Sequence, residues 1–225
     1  AVGDIKVEAI LVDDGSRDKT LPGLKKIGEN FSRKHNVTPE NFNLRIIALK
    51  QNSGKGAALQ RGVAEAQGSR ILTLDADMAA RPFEILNWQT DGHVDLKSEP
   101  DNQVLIGSRE HKDSDVTDKG TRRIMGRVFN RITRILSGLP FHDTQCGFKL
   151  YTASLAKETF SKLFHLGWAH DVEILMRLQQ KSVKIHSLPI NWTAIEGSKI
   201  NPVSDAWKMF CALLEIRVAL KKERA

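Results

Sequence analysis

Two aspartates one residue apart, Asp75 and Asp77, close the apolar run Ile71–Leu74. Such a run reads as a strand buried on both faces, and in open α/β sheets ligands bind just beyond the carboxyl ends of the strands. Two carboxylates at i and i+2, where a strand loosens into a loop, can turn toward one divalent cation. Oxygen ligands suit Mg²⁺ or Mn²⁺, which take one or two carboxylates and complete their shell with substrate phosphates. The plainer alternative is that both acids cap the segment that follows. Other strand-like runs end the same way. Lys6–Val12 leads into Asp13-Asp14-Gly15-Ser16, and Leu44–Leu49 leads into Asn52-Ser53-Gly54-Lys55-Gly56. Val104–Gly107 delivers Ser108 and Arg109. If these strands lie side by side, Asp13, Asp14, Lys55, Asp75 and Asp77 converge on one edge as a nucleotide-phosphate site. Lys55 lacks the G-x-x-x-x-G-K-[ST] frame of a phosphate-cradling loop, which disfavours NTP hydrolysis.

The spacing of apolar residues supplies the elements that hold these groups. Leu21, Leu24, Ile27 and Phe31 recur at helical period, with Asp18 or Thr20 as N-cap. A second helix opens at Gly54-Lys55-Gly56, carries Ala58, Leu59, Val63 and Ala66, and is expected to end at Gly68. This alternation of strand, turn and helix predicts a mostly parallel sheet with right-handed crossovers. A short helix over 82–87 and a polar surface stretch over 89–103 follow. Glu110–Gly120 is charged and poor in apolar residues, so a flexible lid is expected there. Thr121–Ser137 is helical, with Arg122, Arg123, Arg127, Arg131 and Arg134 beside an apolar face. It suits an anionic membrane surface, or equally a solvated helix packed on the sheet. Further strands are predicted at the end of 142–151 and over 183–190, where Pro189 points to a sheet edge. Helices are predicted near 155–160, after Asp171 (an N-cap candidate) and, amphipathic, over 203–220.

At 225 residues, with 40% hydrophobic and 27% charged content, the chain fits one large α/β domain over 1–225. No run approaches the ~18 apolar residues of a membrane span, and the first residues do not resemble a signal peptide. Cys146 and Cys211 lie far apart and read as reduced thiols. The net charge of +7 favours anionic partners. Nucleic acid is the weakest of these, because no basic stripe is interleaved with aromatics.

With these residues in order, the chain resembles the inverting glycosyltransferases of family 2, which have a GT-A fold. Within them it is most similar to the polyprenyl-phosphate sugar transferases of the dolichyl-phosphate glucosyl branch. The resemblance rests on VDDGSRDKT (12–20), NSGKGAALQRG (52–62), LDADM (74–78), GSR (107–109), DTQCGFKLYT (143–152), WAHDVEIL (168–175) and NWTAIEGSK (191–199). The last is the most specific. The resemblance implies one more strand before the first one read here and, in eukaryotes, a membrane anchor, so this sequence is expected to enter at what is the second strand of such enzymes.

The resemblance implies UDP-glucose as donor, dolichyl phosphate as acceptor, a divalent cation (Mg²⁺ or Mn²⁺) as cofactor, and work at the cytosolic face of the endoplasmic reticulum membrane. Asp77, assisted by Asp75, would hold the metal, Asp13 or Asp14 would meet uracil or ribose, and Lys55 would offset charge near the base or diphosphate. Arg109, with Arg122, Arg123, Arg127 and Lys149, would cradle the acceptor phosphate. Asp171 stands where hydroxyl-glycosylating relatives carry a base, and a positioning role is expected for it here, or the alignment of an arginine. Three alternatives stay open: a transferase using GDP-mannose or another sugar nucleotide, a sugar-1-phosphate nucleotidyltransferase, and a non-catalytic basic module that binds membrane or nucleic acid.

Overall fold

The computed structural model describes residues 5–34, 42–98, 100–117, 130–131, 133–195 and 202–223, without side chains at 32–34 and 202–206. The alternation read from sequence is realised in β1 (Val7–Asp13), α1 (Thr20–Lys34), β2 (Phe42–Ala48), α2 (Lys55–Glu65) and β3 (Arg70–Thr73). Then follow α3 (Glu84–Thr90), β4 (Gln103–Gly107), β5 (Val116–Thr117) and a short helix α4 (133–137). The chain closes with β6 (Lys149–Thr152), α5 (Ala153–Ser161), α6 (His170–Gln180), β7 (Lys184–Leu188), β8 (Trp192–Thr193) and α7 (Pro202–Lys222).

β1 and β2 pair in parallel from Val7↔Phe42 to Asp13↔Ala48, and Leu49 N–H continues the pairing onto the Asp13 carbonyl at 2.8 Å. The main sheet has the order β3-β6-β4-β7. β6 runs antiparallel to β3 and β4, and β7 pairs with β4 in parallel at an edge, as Pro189 suggested. Because β3 and β4 both oppose β6, they point the same way. Their carboxyl ends and the start of β6 therefore share one edge: Lys149 is in register with Thr73 on one side and Ile106 on the other. This sheet is mixed, antiparallel at β3-β6 and β6-β4 and parallel at β4-β7; parallel ladders predominate only when β1-β2 and β5-β8 are counted with it, and among the described residues β3 has no ladder with β1 or β2. Their link is local, through the Glu8 carboxylate, which accepts from Gln67 N–H at 2.5 Å and Gly68 N–H at 2.8 Å. Those bonds explain why Gly68 does not cap α2. The helix ends at Ala66 instead, its N–H on the Val63 carbonyl.

Val63, Ile106, Leu175 and Ile216 belong to one buried cluster that packs helices on a face of the sheet, while Trp88, Phe148 and Ile190 belong to a second. Each fully buried aliphatic or aromatic side chain contributes ~1.5–3 kcal/mol. All four residues of β6 are buried, so its lysine enters the interior with them.

Two expectations change. The stretch 89–103 is not merely surface loop. Arg70 donates to the Leu96 and Asp95 carbonyls at 3.2 and 2.9 Å, and Val94 and Leu96 pack on the second cluster. Residues 110–117 of the expected lid are tied down. Ser114 Oγ donates to the Ser108 carbonyl at 2.6 Å and accepts from Ile190 N–H at 3.0 Å, and β5 pairs with β8. Arg122, Arg123 and Arg127 lie outside the described residues, as does 196–199 of the most specific motif. Among the described residues no helix is long and apolar enough to cross a membrane.

Candidate active site

The turn after β1 is held by its own acids. Asp13, 6% exposed, accepts from Ser16 N–H at 3.2 Å. Asp14 accepts from Ser53 N–H and Gly54 N–H, both at 2.8 Å, and so fastens the loop before α2 to the end of β1. Gly54 sits at φ 100°, and a Cβ there would strike the Leu166 carbonyl, so only glycine turns this corner. Lys55 leaves it as the first residue of α2. Its Nζ lies 2.5 Å from Asp75 Oδ1, 3.7 Å from Asp171 Oδ2 and 5.8 Å from the centre of the Trp168 ring. A Cβ on Gly147 would collide with the Asp75 carboxylate, so the loop before β6 can approach that acid only as glycine. Asp77 is exposed, and its Oδ1 accepts from Ala79 N–H at 3.0 Å within the turn that places Met78 at φ 57°.

At the end of β4, Arg109 Nε and Nη2 donate to the two Asp143 oxygens at 2.7 and 2.8 Å, with Arg109 N–H adding a third bond at 2.9 Å. The Asp143 side chain is fully buried while that of Arg109 keeps 28% of its surface, over the Trp192 ring at 5.4 Å. Burial alone would raise the Asp143 carboxyl, but the bidentate guanidinium outweighs it and holds the acid below its usual range. Burial would likewise lower Arg109, and Asp143 reverses that. Burial pushes the neighbouring Cys146 thiol up to about 11, so it stays protonated at neutral pH.

Beneath both acids lies a second buried pair. Lys149, 1% exposed, donates to Asp171 and to the Cys146 carbonyl, the latter at 2.6 Å. Burial would raise the Asp171 carboxyl, but Lys149 and then His170 and Lys55 hold it well below the carboxylate range. Burial also lowers His170, so that residue is neutral near pH 7 and adds its charge only in acid. His170 Nδ1 faces the Gly167 carbonyl at 2.7 Å, which assigns its proton there, and Nε2 has no hydrogen-bond partner.

Lys55, Asp75, Asp171 and Lys149 therefore form one continuous chain of contacts, with Asp14 bracing the loop that starts it. Arg109 joins it through the charge of Asp75, which Arg109 senses. Two expectations are corrected, for Lys149 and for Asp171. Lys149 is walled off from any acceptor, because its ammonium is surrounded by protein oxygens in the interior. Asp171 does not cap α6, whose N-cap is Ala169, and it aligns lysines rather than an arginine. Asp14 presents its carboxylate to backbone amides first. Asp143, Trp168 and Trp192 were not singled out from sequence. Asp143 lies 34 residues from its arginine, a separation with no local signature.

Lys55 with Asp75, Lys149 with Asp171 and Arg109 with Asp143 each sum to neutrality, while Asp13, Asp14 and Asp77 remain unmatched by cations in these contacts. A diphosphate would meet net negative charge there. Asp75 and Asp77 supply the oxygen donors a Mg²⁺ or Mn²⁺ ion needs, and two carboxylates suffice when phosphates complete the shell. Among the described residues no group of three or more metal-ligating side chains gathers. Asp75 is half-buried and Asp77 exposed at the turn after β3. A hollow of about 210 Å³ lined by Arg70, Asp95, Asp101 and Thr152 lies instead at the opposite ends of β3 and β6, away from this chemistry.

The model of Glycosyl transferase family 2 matches residues 3–160. The chain is 36% identical over 213 residues to a dolichyl-phosphate beta-glucosyltransferase of Dictyostelium discoideum, covering 93% of this chain and 62% of the relative. It is 37% identical over 215 residues to the Homo sapiens protein of the same name, covering 94% and 63%. It thus spans a little under two thirds of the curated relatives it matches. Glucosyl-3-phosphoglycerate synthase from Mycobacterium tuberculosis, solved with Mn²⁺ and UDP-glucose, superposes with TM-score 0.59 at 16% identity, over 91% of this chain and 66% of that one. That likeness establishes the GT-A type of fold.

Proposed function

Because the chain belongs to glycosyl transferase family 2, we propose that it is the catalytic domain of an inverting transferase moving glucose from UDP-glucose to dolichyl phosphate, giving dolichyl β-glucosyl phosphate. The dolichyl-phosphate beta-glucosyltransferases it resembles support the acceptor and the sugar, and the UDP-glucose and Mn²⁺ of the solved neighbour support the donor and a divalent cation. The observation that carries the reading is that Asp75, paired with Lys55 at the end of β3, also acts electrostatically on Arg109, whose guanidinium keeps N–H groups beyond those given to Asp143.

Asp75 and Asp77 would hold the divalent cation, which would supply neutralisation of the charge developing on the departing UDP. Lys55 releases Asp75 as the donor enters and is held close by Asp171, whose second oxygen is 3.7 Å away. Asp13 and Asp14 keep the base-binding turn in shape and face the nucleoside. Arg109 has five N–H groups and gives two side-chain ones to Asp143, so three can bind the acceptor phosphate. Arg122, Arg123 and Arg127, outside the described residues, are kept from the sequence as further candidates for that phosphate. The acceptor is a phosphate monoester whose second pKa lies near ~6, so it is largely dianionic at neutral pH and needs no base. Asp171 is ionised and bound by cations, which suits a positioning residue. In-line attack on an α-linked donor inverts the anomeric carbon. The reaction belongs at a membrane, on the cytosolic face of the endoplasmic reticulum, where Cys146 and Cys211 stay as free thiols.

Incubating the chain with dolichyl phosphate, Mn²⁺ and radiolabelled UDP-glucose or GDP-mannose tests this. Label entering the lipid fraction from UDP-glucose is expected. Label from GDP-mannose alone would reassign the donor, and none from either would defeat the proposal.

A further inference from the structure

α7 is apolar on two opposite sides. Met209, Leu213, Ile216 and Leu220 face the core at 6, 1, 0 and 1% exposure. Trp207, Leu214 and Val218 fall on the other side of the same helix, at 67, 43 and 55% exposure. At 100° per residue these three lie within about 40° of one another and almost diametrically opposite the buried stripe. A solvated helix has no use for an outward Trp, Leu and Val in register, because it gains burial energy from one face only. The flanks of the outward stripe are basic. Arg217 and Lys221 lie to one side and Lys222 to the other, all exposed. The acids near these flanks already have partners: Glu215 pairs with His165 at 3.0 Å, and Glu223 pairs with Arg177 at 2.7 Å. Arg217 also donates to the Leu136 carbonyl at 3.1 Å, bringing α4 alongside with Ile135 70% exposed.

We infer that the outward stripe of α7 is a docking surface for an anionic lipid bilayer, Trp207, Leu214 and Val218 entering the interface and the basic flanks meeting the headgroups. An apolar stripe bordered by long cations, with a tryptophan at one end, has the chemistry of a helix lying in an interface. Lysine and arginine stems let the apolar residues sink while their charges stay with the phosphates. Another protein could cover an apolar stripe, but the cationic borders favour a phosphate-bearing surface. The inference rests on the reading above in one respect, that the acceptor is a membrane lipid, and it places that membrane on a defined face of the domain.

Co-sedimentation of the 225-residue chain with vesicles of phosphatidylcholine, alone or mixed with phosphatidylserine, reads binding without catalysis. Binding to the mixed vesicles is expected, weakened by salt. The pair Leu214→Glu and Val218→Glu should lower it roughly tenfold or more, and Trp207→Ser should lower it less. A thermal melt and UDP–Mn²⁺ affinity on the same variants should be unchanged, because these side chains point away from core and site. Loss of UDP affinity in the unaltered chain would count against the transferase reading alone. Two results overturn the inference: equal vesicle binding by the unaltered and Leu214→Glu, Val218→Glu chains, or no vesicle binding together with a concentration-dependent dimer that these substitutions dissolve.

Discussion

The two ends of the site are built on different principles. At the donor end, Asp14, Lys55, Asp75 and Asp77 are at least partly open around the ends of β1 and β3 and the start of α2, with Asp13 buried beside them, and the acids outnumber the cations. At the acceptor end, Asp143 and Lys149 are buried and each is matched by an opposite charge, and only Arg109 reaches solvent from among them. The open end is left wanting a cation and a ligand. The closed end has its charges satisfied by the protein and serves as a rigid mount. The same residue types thus do different work according to burial: removing an acid from the first should harm transfer, and removing one from the second should harm the fold.

The sharpest way to break this contrast is at Asp77. Asp77→Ala should reduce transfer by ~10²–10³ or more while the melting temperature stays put, since the side chain is exposed and bonds only its own turn. Near-normal turnover in a radiolabel assay would remove the metal assignment. The next largest effect lies at the closed end. Asp143→Ala leaves Arg109 without its partner and should destabilise the chain by about 3 kcal/mol, read by urea unfolding, whereas an exposed ion pair would cost under about 1 kcal/mol.

Acid should separate the two ends as well. The folded pKa values of Asp143 and Asp171 are depressed, so their contribution is full above the ordinary carboxylate value of ~3.9 and is lost as pH falls below it toward the folded values. Urea midpoints should accordingly fall below about pH 4, and Asp143→Asn should flatten that decline. The smallest effect concerns Asp171 in transfer. Asp171→Asn should cost less than about tenfold and leave the acid limb of the rate near ~6, where the acceptor phosphate titrates. A loss of ~10²–10⁴ with a displaced limb would make it a base after all.

Much of this was legible before any coordinates. Strand, turn and helix alternation through Arg70–Thr73 follows from period and turn chemistry, and the acids and lysine at the strand ends need only a shared edge to converge. What escaped the sequence depends on contacts between distant residues. β6 enters antiparallel between β3 and β4, and nothing in Lys149–Thr152 announces its neighbours. Lys149 reads as a surface cation until its strand is seen to be buried, and Asp143 reads as a turn former until Arg109 reaches it. α7 reads as amphipathic from its apolar content, yet its apolar residues divide between two faces.

The claim on which the rest depends is that the acids after β3 hold a cation for a nucleotide diphosphate. Titration calorimetry with UDP, with and without Mn²⁺, on the unaltered chain and on Asp77→Ala measures it directly. The account predicts UDP binding that Mn²⁺ strengthens roughly tenfold or more, and loss of that gain in Asp77→Ala. UDP binding equally well without Mn²⁺, or a Mn²⁺ effect untouched in Asp77→Ala, would contradict it.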